Sequence, residues 1–78
     1  MLFNPLTNAN LRDDSKNSVR ELFDQRYRVR RVREGFRSGL YGSTYYVDLE
    51  DGHTMKVQVD KKTGLFGGEK TFIKSIIE

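Results

Sequence analysis

The arginine-rich segment "RYRVRRVREGFR", residues 26–37, is the part of the sequence with the highest density of basic side chains. It holds six arginines and one glutamate, a net charge of +5, whereas the full chain of 78 residues carries only +3. The rest of the chain therefore carries a net charge of −2, and its basic character is local. A local patch of one sign predicts a polyanionic partner or an acidic protein surface.

Arginine favours nucleic acid among such partners. Its planar guanidinium donates bidentately to phosphate and stacks on bases, and nearby aromatic side chains give unpaired bases a platform. The predicted binding site consists of five arginines and two tyrosines: Arg28, Arg30, Arg31, Arg33, Arg37, Tyr41 and Tyr46. The same arginines also fit a solvated strand face that is kept basic to block pairing with other chains.

Residues that could support catalysis or bind a metal are sparse. His53 is the only histidine, and it follows a predicted turn, where an exposed side chain is the expected outcome. The acidic residues Asp48, Glu50 and Asp51 match no calcium-loop spacing and are typical of a solvated turn. The absence of cysteine excludes disulfides and thiolate metal sites. We therefore expect a protein that is not an enzyme, with no cofactor, metal or small-molecule substrate.

The direction of the arginines depends on the strand that carries them. In a helix, several arginines would fall within the apolar stripe at a heavy desolvation cost. In a strand, Val29 and Val32 are one residue out of phase, and a bulge at residues 30–31 returns Val32 to the apolar face. This interpretation turns Arg28, Arg33 and the bulged pair toward solvent, where substitutions usually cost little stability.

A β-hairpin is predicted after the arginine segment. Residues 45–49 and 55–59 each alternate between apolar and polar side chains, as half-buried strands do. A three-residue loop at 50–52 sets Val47 opposite Met55, whereas a two-residue loop would mix the two faces. The glycine of this loop supplies the left-handed residue of a type I turn with a G1 bulge.

Two helices are predicted on either side of the strands. Ser18 and Glu21 form a capping box in front of an apolar stripe, which predicts a short helix over residues 18–26. The four large apolar side chains of residues 72–77 share one side of a helix but would divide between the two faces of a strand. A C-terminal helix is therefore favoured, and the β-branched isoleucines leave a fourth strand as the alternative.

The predicted fold class is α+β: a small single domain with a three-stranded antiparallel sheet, a short N-terminal helix and a C-terminal helix. Residues 1–14 are expected to form an irregular N-terminal arm, and residues 15–78 the single domain. The N-terminus lacks the features of a secretory signal, and no apolar run approaches the ~20 residues that span a bilayer. These observations predict a cytoplasmic protein with no membrane partner.

Two functions from different classes fit this pattern. The first is a nucleic-acid-binding module, for DNA or RNA, with the arginines on phosphates and Tyr41 or Tyr46 stacking on a base. The second is a small inhibitor or adaptor of the virus-encoded type, which docks on an acidic or nucleic-acid-binding surface of another protein. The salt dependence of oligonucleotide binding separates the two, because phosphate contacts release counterions.

Overall fold

The fold of the protein is built mainly from β-strands. The structure, a computed structural model, describes residues 4–38, 42–64 and 67–78. Within these ranges it contains five strands and one helix: β1 (Asn10–Leu11), α1 (Lys16–Asp24), β2 (Val29–Ser38), β3 (Gly42–Leu49), β4 (Thr54–Thr63) and β5 (Glu69–Ile77). The strands form one antiparallel sheet in the order β1-β5-β4-β3-β2.

The predicted fold class is wrong. Instead of an α+β domain with three strands and two helices, the described residues form an all-antiparallel sheet of five strands with a single short helix. The two additional strands come from segments to which the sequence pattern assigned other structures. Strand β1 lies in the segment predicted to be an irregular arm, and β5 replaces the predicted C-terminal helix.

The apolar residues of strand β5 have the spacing expected of a helix because the strand contains a bulge. The register with β4 shifts so that Lys74 is an extra residue on β5. Ile73 and Ile76, three residues apart, consequently lie on the same face of the sheet, where Ile73 is buried and Ile76 packs against the core. A spacing of three is also what a helix produces, so the bulge explains the mistaken prediction.

The predicted bulge in β2 is confirmed. Val29 pairs with Leu49 and Val32 pairs with Val47, and the register shifts between Val29 and Arg31. Both valines therefore lie on the same face of the sheet, although their spacing of three would place them on opposite faces of a regular strand. Val29 is buried, and Val32 packs against the core.

The predicted hairpin between β3 and β4 is also confirmed. Tyr45 pairs with Val57 and Val47 pairs with Met55, which is the register that a three-residue loop requires. Gly52 has a φ of 94°, the left-handed conformation expected of the last loop residue. The alternation of side chains and one glycine were therefore sufficient to predict this element.

Helix α1 begins earlier than predicted. Ser15 is the N-cap, and its side-chain oxygen accepts a hydrogen bond from the backbone N–H of Ser18. Asp13 in turn accepts hydrogen bonds from the hydroxyl groups of both serines, and these bonds lower its pKa. The helix ends at Asp24, and no helix within the described ranges is long and apolar enough to cross a membrane.

One face of the sheet is covered by α1 and by the segment that precedes it. Val19 and Phe23 of the helix are fully buried, and Tyr27 stacks on Phe23 with ring centroids 5.9 Å apart. Leu6 and Leu11 are buried in the same core, which ties the N-terminal segment to the sheet. No described element covers the opposite face, which we call the open face.

Replacement of Gly52 by alanine should lower the free energy of unfolding by about 1 kcal/mol or more, because a side chain disfavours its left-handed backbone. No atom lies within 4 Å of a Cβ added at this position, so the cost comes from the backbone conformation alone. Gly68 is the matched control, since it is equally open but has no positive φ. Urea denaturation measures both variants, and equal stabilities would contradict the loop conformation.

Replacement of Ile73 by alanine should cost about 2–5 kcal/mol of stability, as expected for a fully buried isoleucine. The same replacement at Ile77, which is 55% exposed, should cost about 0.5 kcal/mol or less. A C-terminal helix would bury both side chains in one stripe, so similar large losses at both positions would contradict strand β5. Chemical denaturation of the two variants provides the comparison.

Candidate functional site

The open face is defined by the strand registers, since side chains of directly paired residues point to the same side of a sheet. We assign Lys74, which has no directly paired residue, to the open face because it lines a surface cavity together with Thr44 and Gln58. The polar and charged side chains of the open face come from β2 to β5: Arg31, Arg33, Thr44, Tyr46, Asp48, Thr54, Lys56, Gln58, Asp60, Lys62, Lys70, Lys74 and Ser75.

The open face carries the positive charge of the molecule. Its six basic side chains are Arg31, Arg33, Lys56, Lys62, Lys70 and Lys74. They face only two acidic ones, Asp48 and Asp60. The other charged side chains of the chain number eight basic and nine acidic, so they nearly cancel. The net positive charge of the chain is therefore concentrated on the open face.

Asp48 is the most constrained charge on the open face. Its Oδ2 atom accepts hydrogen bonds from Nε of Arg31 and from Nε of Arg33, each at 2.7 Å. Its Oδ1 atom accepts from Nη2 of Arg33 at 3.0 Å and from the Thr54 hydroxyl at 2.6 Å. Led by the bond from Arg33, these donors hold the pKa of Asp48 well below its usual range.

The two arginines keep a net positive charge despite this contact. One carboxylate cannot neutralise two guanidinium groups, and the side chains of Arg31 and Arg33 remain 59% and 48% exposed. Their exposed N–H groups can therefore meet an anion from solvent, as charge-assisted hydrogen bonding requires. Because both also hold the 11% exposed Asp48 side chain, we expect replacing either one to cost stability, unlike an ordinary surface substitution.

The ring of Tyr46 lies beside Arg33 and Gly35 of strand β2 on the open face. The guanidinium carbon of Arg33 is 5.3 Å from the centroid of its ring, within the range of a cation–π contact. A Cβ atom added at Gly35 would lie 2.7 Å from Cε2 of Tyr46, so glycine makes room for the ring. The ring of this predicted stacking residue is thus half-buried and already engaged by Arg33.

Three of the seven predicted site residues come together on the open face: Arg31, Arg33 and Tyr46. Arg30 is the extra residue of the first bulge, and Arg28 directly precedes β2. Both are exposed at the edge of the sheet, because β2 is its last strand. Arginine on an edge strand hinders pairing with other chains, which is the alternative role that the sequence allows for these residues.

Arg37 lies on the other side of the sheet. A second bulge in β2 changes the phase of the strand, so that Arg37 pairs with Ser43 on the face covered by α1. Its Nη2 atom donates to the hydroxyl of Tyr45 at 3.0 Å, and that hydroxyl donates to Asp14 at 2.6 Å. Burial and the Asp14 carboxylate raise the pKa of Tyr45 to about 12. The remaining predicted residue, Tyr41, lies outside the described residues.

Lys56 and Lys74 belong to the open face but were missed in the sequence. Lys56 alternates with Met55 and Val57, a pattern that could have placed it on the solvent side of β4. Lys74 gave no such signal, because it occupies a bulge in a segment with helical periodicity. Phe36, at the second bulge of β2, is 78% exposed and is one of the aromatic residues near the arginines in the sequence.

The free energy of unfolding should decrease as the pH is lowered into the range where the carboxylate of Asp48 begins to bind protons. A lowered pKa in the folded state contributes stability above the unfolded value of about 3.9. This contribution is lost as the pH falls below that value toward the folded pKa. The Asp48→Asn variant should therefore be less stable near pH 7 and lose less stability on acidification. Urea midpoints from roughly pH 2 to 7 test this, and parallel pH profiles would contradict it.

Comparisons of the chain with protein-family models, with curated proteins and with solved structures found no match. The open face combines fixed arginines, separate lysines and small polar residues, and no cluster of three or more metal-binding side chains occurs in the described part of the chain.

Proposed function

We propose that the protein is a non-catalytic module that binds nucleic acid through its open face. The observation that carries this proposal is the excess of six basic over two acidic side chains on a sheet face that no described element covers. Neutralisation of phosphates by such cations, with release of counterions, supplies most of the affinity in sequence-independent nucleic-acid binding.

Arg31 and Arg33 are suited to hold a phosphate because Asp48 already fixes them. A guanidinium held by a carboxylate loses less conformational freedom when it binds a second anion, which reduces the cost of binding. Lys56 pairs with Tyr46 in the neighbouring strand and extends the cationic surface across the sheet. Phosphates spaced along a chain can then contact cations from several strands.

Short polar side chains separate the cations on the open face. Thr44, Gln58 and Ser75 form one row across β3, β4 and β5, and the Ser75 hydroxyl donates to the Gln58 side-chain oxygen at 3.2 Å. Side chains of these types commonly contact phosphate and sugar, and such contacts orient a nucleic acid without reading its sequence. We therefore expect weak sequence preference.

Docking on an acidic protein surface is the second candidate, and one observation favours it. Phe36 and Ile77 are the large apolar side chains that the described residues leave exposed, and both belong to this side of the sheet. Exposed apolar anchors beside cations are typical of protein interfaces. The cytoplasmic location inferred from the sequence is compatible with either partner and remains a prediction.

The double variant Lys56→Gln/Lys74→Gln should bind oligonucleotides more weakly and with a shallower salt dependence. Loss of two phosphate contacts lowers the slope of log affinity against log salt by roughly one to two units. Neither lysine forms a hydrogen bond or ion pair with a buried side chain of the described residues, so stability should change by about 0.5 kcal/mol or less per site. Fluorescence anisotropy of labelled mixed-sequence oligonucleotides over a salt series measures the slope.

The matched control is Lys16→Gln/Lys61→Gln, which removes the same charge from the other side. Lys16 begins helix α1, and Lys61 pairs with Thr71 toward the covered face. This control should keep most of the wild-type slope. An equal loss in both double variants would mean that net charge alone attracts the oligonucleotide. Absence of binding at low salt would reject nucleic acid and leave protein docking as the function.

A further inference from the structure

A cavity of about 380 Å³ opens on the open face beside Phe36. Its lining includes the side chains of Phe36, Thr44, Gln58 and Lys74, with Gly42 contributing bare backbone. This volume lies within the range of pockets that hold small organic ligands. The cavity therefore combines an aromatic ring, an amide, a hydroxyl and a cation within one concave site.

Two backbone irregularities form this cavity. The second bulge of β2, between Glu34 and Arg37, leaves the ring of Phe36 78% exposed, and the bulge of β5 inserts Lys74. Gly42 has a φ of 89°, and a Cβ atom there would lie 1.9 Å from the carbonyl oxygen of Val59. Glycine thus allows β3 to approach β4 closely at the wall of the cavity.

We propose that this cavity seats one unpaired base of a single-stranded nucleic acid, an inference that rests on the proposed function. A nucleotide has a flat apolar face, a polar edge and an anionic phosphate, and the cavity offers a partner for each. The ring of Phe36 covers the face of the base, as aromatic residues do in single-strand-binding proteins. The ammonium of Lys74 pairs with the phosphate.

Gln58 supplies the contact to the edge of the base. Its side-chain oxygen accepts a hydrogen bond from Ser75, which orients the amide group. The amide nitrogen has two donors for the acceptors on a base edge, and the hydroxyl of Thr44 can donate or accept beside it. A polar edge contact of this kind tolerates several bases, in agreement with the weak sequence preference expected above.

Duplex nucleic acid cannot use this cavity. In a duplex the faces of a base are stacked and its pairing edge is occupied, so a base must be unpaired to lie on Phe36. A duplex would retain only the phosphate contacts with the cations of the open face. We therefore expect the protein to prefer single strands and to lose this preference when the ring of Phe36 is removed.

Charge distinguishes this cavity from a second one of similar size. The second cavity, of about 400 Å³, lies at the hairpin end of the sheet, and Asp51 and Glu78 are among its lining residues. Two carboxylates repel a phosphate, whereas the cavity beside Phe36 has Lys74 and no acidic lining residue among those described. The lining of the open-face cavity therefore suits a nucleotide better than the lining of this second cavity.

The test compares Phe36→Ala, Phe36→Tyr and Ile77→Ala with the wild-type protein. The probes are a labelled mixed-sequence single strand of about 12 nucleotides and a duplex of the same length. Loss of one stacked base should weaken single-strand binding by roughly 5-fold to 150-fold in Phe36→Ala, with little change in the salt slope. Phe36→Tyr should bind normally, since tyrosine keeps the stacking ring.

Two controls connect the loss to stacking. Ile77→Ala removes the other large apolar side chain that is exposed on the open face among the described residues, and it should leave binding unchanged. Duplex binding should be the same for Phe36→Ala and wild type. A single strand that carries 2-aminopurine should lose fluorescence when it binds the wild-type protein, because stacking quenches this base, and should lose less with Phe36→Ala.

Failure of this inference is distinguishable from failure of the proposed function. If Phe36→Ala binds single strands as the wild type does, while Lys56→Gln/Lys74→Gln still lowers the salt slope, the cavity is not a base site and the open face remains the interface. Equal binding of single strands and duplex by the wild type also overturns it. If no oligonucleotide binds at low salt, both proposals fail together.

Discussion

The one short helix of the described residues cannot cover both faces of their five-stranded sheet, and this limit gives the two faces different side chains. Helix α1 and the N-terminal segment bury one face through Val19, Phe23, Leu6 and Leu11. The other face stays in contact with water, so most of its side chains are polar or charged, with Phe36 and Ile77 as exposed apolar exceptions. Because these charges are mostly basic, the uncovered side of the sheet becomes an electrostatic surface as well as a solvated one.

Bulges reconcile this two-sided sheet with a sequence that does not alternate regularly. In β2 the first bulge brings Val29 and Val32 to the covered face, and in β5 the extra residue Lys74 does the same for the isoleucines around it. Each bulge also moves a charged or aromatic residue into an unusual position, as bulges near binding sites often do. The packing of the core and the shape of the candidate site thus share one cause.

Asp48 connects the stability of the sheet to the binding that we propose for the open face. It joins two arginines of β2 and Thr54 of β4 around one carboxylate on β3, so it ties three neighbouring strands together. The same contacts hold the guanidinium groups ready for an anion from solvent. A change at either arginine is therefore expected to affect folding as well as the proposed binding, whereas Lys56 and Lys74 allow the proposed binding to be tested separately.

The secondary-structure elements that could be predicted from the sequence are those specified by residues close together in the chain. The alternation on both sides of Gly52 specified the hairpin and its register, and the phase of Val29 and Val32 specified the bulge between them. In both cases the apolar residues needed to share one face, and strand geometry left one solution. The excess of basic charge was equally evident, although not its arrangement.

The pairing and register of strands that are remote in the sequence follow only from the folded structure. The helical spacing of Ile73 and Ile76 is ambiguous until β5 pairs with β4 and β1, and hydrogen bonds to those neighbours select the strand. In the sequence Asp48 is typical of a solvated turn, but the pairing of β2 with β3 brings two arginines to its carboxylate. A second bulge in β2 turns Arg37 to the opposite face. Side-chain periodicity reports the conformation of one segment, whereas register and burial depend on partners that are remote in the chain.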